Sequence, residues 1–268
     1  MTDQEIAKST RLRPEEKELA RLEARIEELQ EQLADRLLEQ ATLRRELRDF
    51  EQRFLAVVGT RQAELDQLEA RIAALLAASR PSPEAEGAAQ TAAERARLSA
   101  EEIGDAEALR QSIPEMLREI PEELRSIFRR VAKAVHPDFA VDDSDRAERE
   151  RAMSEANAAY EAGDVGRLRH VFDQWESRPE AVQGDDVGSR IVRAIRRIAE
   201  AEKRLEEIAA ETDLMRSSDL AGLQARTHEA LAEGRDLLQE MADELERRIA
   251  AANLQMRELV DAAEQRND

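Results

Sequence analysis

The sequence predicts an all-α fold, on three observations. Apolar residues recur at heptad spacing over most of the first 78 positions. The composition is 41% hydrophobic, 38% charged and only 3% aromatic, with Ala, Leu, Glu and Arg in excess, as in long helices. Most of the 9 Gly and 7 Pro fall between the periodic segments. Together these lead to a long N-terminal coiled-coil helix, a small central helical bundle, and a C-terminal coiled-coil helical hairpin or rod. One large core is not expected in 268 residues patterned this way.

Residues 1–78 form the first element. Leu19, Leu22, Ile26, Leu29 and Leu33 step by three and four, as a and d positions require. Leu43, Leu47, Phe50, Phe54 and Val57 resume the phase after polar Arg36 and Gln40. The phase then shifts by four residues, and Leu65, Leu68, Ile72 and Leu75 continue it. So narrow an apolar stripe needs a partner helix, which makes a homo-oligomer or another coiled-coil partner the expectation. Arg36, Gln40 and Arg61 at core-type positions suggest control of register.

Ser79-Arg80-Pro81-Ser82-Pro83 breaks the helix, and the Ala-, Glu- and Gln-rich stretch after it has no apolar period. Residues 79–112 are therefore expected to be a flexible linker. Residues 113–176 carry three short amphipathic helices: Leu124, Ile127, Phe128, Val131 and Val135; Met153, Ala156, Asn157 and Tyr160; and Leu168, Val171, Phe172 and Trp175. Each can bury one side against the others. So small a core is marginal, and Ile113, Leu117 and Ile120, behind an N-cap at Ser112, are expected to add a packing helix. A second break, 177–189, holds Arg178-Pro179 and Gly184 to Gly188. In 190–268 the period returns. Ile191, Ile195, Ile198, Leu205 and Ile208 share a face, Ser217-Ser218-Asp219 reads as a stop followed by an N-cap, and Leu220 to Leu259 reads as one last long helix.

A formal net charge of −19 argues against nucleic acid and against adsorption to an anionic membrane. The longest near-apolar run, Ile72 to Ala78, is too short for membrane insertion. The opening Met1-Thr2-Asp3-Gln4-Glu5 lacks the features of a secretory signal, so a cytoplasmic protein is expected. There is no cysteine, and His136, His170 and His228 stand at no metal-ligand spacing. With no phosphate loop or nucleophile triad either, no cofactor, no metal and no enzymatic activity are expected.

Against this background one segment stands out. Arg125, Arg129, Arg130 and Lys133 share a helix face with no acid among them, a local reversal of sign in an acidic chain. That helix should end near Val135 or His136, because Pro137 disfavours helical geometry in the residue before it. Asp138 then opens a loop, where it is expected to be exposed with its carboxylate free. Asp142 to Asp145 read as loop solvation and an N-cap for the helix that carries Asn157 and Tyr160.

A basic helix, His136-Pro137-Asp138, a loop and a helix with Asn157, Ala159 and Tyr160 resembles the J-domain of DnaJ-type co-chaperones, over roughly residues 114–176. Phe128, eight residues before His136, stands where J-domains have an aromatic, and Arg129, Arg130 and Ala132 match their basic helix. The tyrosine-rich opening and Leu-Gly turn of the first J-domain helix are absent around Ile113 to Ile120, and zinc-binding CxxC repeats and a Gly/Phe-rich segment are absent too. The resemblance is thus to a specialised member, not a general substrate-holding DnaJ.

The resemblance implies a partner, a DnaK-type chaperone. Arg125, Arg129, Arg130 and Lys133 would dock on its acidic ATPase-domain surface. His136, Pro137 and Asp138 would trigger ATP hydrolysis, with Asp138 forming an ion pair and Pro137 fixing the turn. Phe128, Val131, Asn157 and Tyr160 would be structural, and the coiled coils would serve self-association or client choice, the client being unidentified. The competing expectation is a coiled-coil scaffold or assembly protein in which the J-like bundle is only structural.

Overall fold

The computed structural model describes residues 13–104, 120–140, 142–176 and 186–264, and every regular element among them is helical. In order these are α1 (Pro14–Phe54), a π-helical turn (Leu55–Gly59), α2 (Thr60–Ser79), α3 (Pro83–Ile103), α4 (Glu122–Val135), a 3-10 turn (Pro137–Phe139), α5 (Asp143–Ala162), α6 (Val165–Glu176), α7 (Val187–Arg216), α8 (Asp219–Ala232) and α9 (Leu237–Glu264). No helix among the described residues is long and apolar enough to cross a membrane. The described residues fall into two compact units, each built from distant parts of the chain.

The first unit takes α1 through Arg45 together with α4, α5, α6 and α7. Its core joins Leu29, Leu33, Ala34 and Leu37 of α1 to Leu124, Phe128, Val131 and Val135 of α4. Met153, Ala156, Ala159 and Tyr160 of α5, Leu168 and Val171 of α6, and Ala201 and Ile208 of α7 complete it. The packing support expected from Ile113 and Leu117 lies outside the described residues, as does the Ser112 cap; Ile120 is described and packs at the core's edge. α1 and α7 are what enlarge the bundle beyond its marginal three helices.

The heptad stripe of α1 thus finds a partner within the chain. The buried Gln40 donates to Glu211 at 2.9 Å, and Arg25 bridges to Glu202 at 2.9 Å. The register residue expected at Gln40 therefore reads against α7. The face that α7 buries is centred on Ala194, Ala201 and Ile208, whereas Ile195 is exposed. Large apolar residues dominate the sequence pattern of this helix, whereas its close packing favours the small ones.

The second unit takes the rest of α1, the π turn, α2, α3, α8 and α9. Phe50, Val58, Leu65, Leu68 and Ile72 bury against Leu238, Leu245, Ile249 and Ala252 of α9. The π turn sits where the heptad phase shifts, just before Leu65, and its wider winding re-aims the stripe without ending the helix. Backbone carbonyls there take side-chain donors, Thr60 Oγ1 to the Ala56 carbonyl (2.9 Å) and Arg61 to the Val57 carbonyl (2.6 Å), and Arg61 also donates to the Glu246 carboxylate (2.7 Å).

Three expectations are corrected. The segment 79–112 is not a flexible linker over 83–103, which is α3. Ser82 caps it, accepting from the Ala85 amide at 3.1 Å, and Pro83 occupies the first turn. Its Ala, Glu and Arg content is strongly helix-forming, and Arg95 ties it to α2 through the buried Asp66 at 2.9 Å and through Glu69. The last long helix is broken at 233–236, where Gly234 adopts φ 79° and Asp236 caps α9 by accepting from the Gln239 amide at 3.1 Å. Finally, 190–268 is not a module of its own. α7 starts at Val187 and belongs to the first unit, while α8 and α9 belong to the second.

Candidate functional site

α4 is strongly amphipathic, and its length is set from both ends. Pro121 precedes it with Glu122 and Glu123 in the first turn, and Pro137 stops it, leaving Val135 as its last residue and His136 as its C-cap. Phe128 and Tyr160 meet with ring centroids 4.6 Å apart at the centre of the core. The Tyr160 hydroxyl, fully buried, hydrogen-bonds Thr42 Oγ1 at 2.7 Å, and the Tyr160 carbonyl accepts from Arg45 at 2.9 Å. Val131 is buried beside them, and Asn157 is half-buried on α5.

The His136-Pro137-Asp138 turn is held from three sides. The Asp138 amide donates to His136 Nδ1 at 3.2 Å, which leaves the imidazole proton on Nε2. The His136 ring meets Phe139 edge-on at 5.6 Å. Arg149 of α5 donates to the carbonyls of Ala134 (3.0 Å) and His136 (3.3 Å), closing the end of a helix that Pro137 leaves one donor short. Arg149 is itself positioned by Asp145 at 2.9 Å and lies 5.0 Å from the Trp175 ring. Asp142 caps α5, as expected, accepting from the Asp145 amide. Arg197 of α7 donates to the Ala140 carbonyl at 3.3 Å.

Burial, reinforced by Arg204 and Arg149, pushes the His136 imidazole down to about 4, so it is neutral at pH 7. Its 3.6 Å approach to the Asp138 carboxylate is therefore a dipolar contact and not an ion pair. Asp138 departs from the free loop carboxylate expected. Its side chain is 18% exposed, and burial raises its pKa against the pull of Arg146 and Arg204. Both α5 and α7 pack against the turn.

The four basic residues do not meet one fate. Arg129 pairs with Asp35 and, at 2.8 Å, with Glu31 of α1; Lys133 also pairs with Glu31. These partners raise the Arg129 pKa and lower that of Glu31. Arg130 lies 4.2 Å over the Phe172 ring. Arg125 is half-buried, and its Nε has no hydrogen-bond partner among the described residues. Beside the turn, Arg130, Lys133, Arg149 and Arg197 line an open cavity of about 460 Å³ with Phe139 and Phe172 on its walls.

The structure thus brings His136, Pro137, Asp138, Arg130 and Lys133 around one end of α4. It adds Thr42, Arg149, Arg197 and Arg204, none of which sequence spacing could assign. Only the need of a buried Tyr160 hydroxyl and of the α4 carbonyls for partners hinted that such residues must exist. No protein-family model, curated protein or solved structure matches this chain.

Proposed function

We propose that this chain is a J-domain co-chaperone that stimulates ATP hydrolysis by a DnaK-type chaperone. Arg125, Arg129, Arg130 and Lys133 of α4 dock on an acidic surface, and the His136-Pro137-Asp138 turn delivers the trigger. The observation that supports it best is the placement of Arg130, Lys133 and the His136-Pro137-Asp138 turn together at one end of α4. The heptad stripes bury within the chain, so self-association is not needed to satisfy them. The exposed remainder of the long helices is left for client choice.

A second reading has its own support. Arg129 and Lys133 are engaged inside the chain, as a purely structural bundle in a scaffold protein would have them. Single-turnover ATP hydrolysis by a DnaK-type chaperone from the same organism separates the two. The co-chaperone reading expects stimulation by the wild type and at least a tenfold loss in His136→Gln and in Asp138→Asn, with both variants folded by circular dichroism. Equal rates with and without the wild type favour the scaffold.

A further inference from the structure

The carboxylates that pair with the basic face come from this chain, and their arrangement is matched to it. Glu31 and Asp35 stand four apart on α1, as Arg129 and Lys133 do on α4, so one turn of each helix presents its pair to the other. Glu31 is shared by both cations, through Arg129 at 2.8 Å and through Lys133. α1 is held in place by Leu29, Leu33, Ala34 and Leu37 in the core, so these carboxylates are fixed opposite α4. The pairs themselves are loose. Their side chains remain between 33% and 57% exposed, where an ion pair is worth little and is easily exchanged.

Building on the co-chaperone reading above, we propose that Glu31 and Asp35 are a built-in mask that occupies the docking face of α4 in place of the partner's acidic surface. A DnaK-type chaperone docks by taking Arg129 and Lys133 away from α1. Strong apolar anchoring with weak charge pairing suits that exchange, because the side chains can change partners while the core stays intact. The mask sets a threshold: a sparsely acidic surface does not out-compete Glu31 and Asp35, and a dense one does.

The test is the full chain with Glu31→Gln and Asp35→Asn together, and with Glu31→Gln alone as a milder second variant. Titrated against the ATP-loaded chaperone, the double variant should half-saturate stimulation at about 5-fold lower concentration than the wild type. Adding His136→Gln should remove that stimulation. In parallel, the Lys133 amine should acylate faster in the variants, read by peptide mass spectrometry without any chaperone present. A half-saturation point that is unchanged or higher while the wild type stimulates overturns the mask and leaves the co-chaperone function standing. Lys133 reactivity unchanged by the variants overturns it as well. Stimulation by none of the proteins overturns the function, and the regulatory role falls with it.

Discussion

His136 shows how the protonation state of a single residue can hold a turn. Its neutral ring accepts the Asp138 amide, and burial holds its pKa near 4, below the ordinary histidine value of 6.5. A base with a depressed folded-state pKa favours folding while neutral. Its contribution is complete above the unfolded-state value and is lost as the pH falls from there towards 4. Between pH 7.5 and pH 5 this one group should cost the wild type about 2 kcal/mol. Urea unfolding at the two pH values checks it, with His136→Gln as reference, since the variant keeps every other titrating group and should lack that loss. The basic residues and the turn were legible residue by residue, because Pro137 and the run from Arg125 to Lys133 act locally. The burial of Asp138 was not, because α7, which packs on the turn together with α5, begins some 50 residues further along the chain.

At the scale of elements, local chemistry and tertiary demand divide the work. The end of α4 at Val135, the cap at Asp142 and the phase shift at the π turn follow from neighbouring residues alone, and each could be read in advance. α3 was missed because its inner face is built of small residues, Ala85, Ala89, Ala92 and Ala96, and of a pair between buried Asp66 and half-exposed Arg95, with few large apolar side chains to mark it. The break at Gly234 was missed because Leu231 continues the apolar rhythm although it is exposed. The support that α1 lends to the α4–α5 pair gives a graded expectation. Tyr160→Phe, which removes the bond to Thr42, should cost about 1 kcal/mol. Phe128→Ala, which empties the centre of the core, should cost about 3 to 5 kcal/mol. Equal losses in denaturant midpoints would contradict the assignment of α1 as an anchor and of the aromatic pair as the core.

Across the whole molecule, the sequential plan of rod, linker, bundle, linker and rod gives way to two units assembled from distant segments. The reason is energetic. A bundle of three short helices buries too little apolar surface, and a lone heptad helix buries none, so each lacks what the other supplies. The same economy places an acidic helix against the basic face in a chain of net charge −19. In this account the docking face, the trigger turn and the mask are parts of one unit.

Amide hydrogen exchange of the full-length protein, alone and with ATP-loaded DnaK-type chaperone, tests that claim most directly. The account predicts slower exchange across α4 and the Pro137–Phe139 turn, with the α1 amides around Glu31 and Asp35 unchanged because the core that anchors them stays intact. A bound chaperone that leaves residues 122–140 unchanged and protects other helices instead would contradict it.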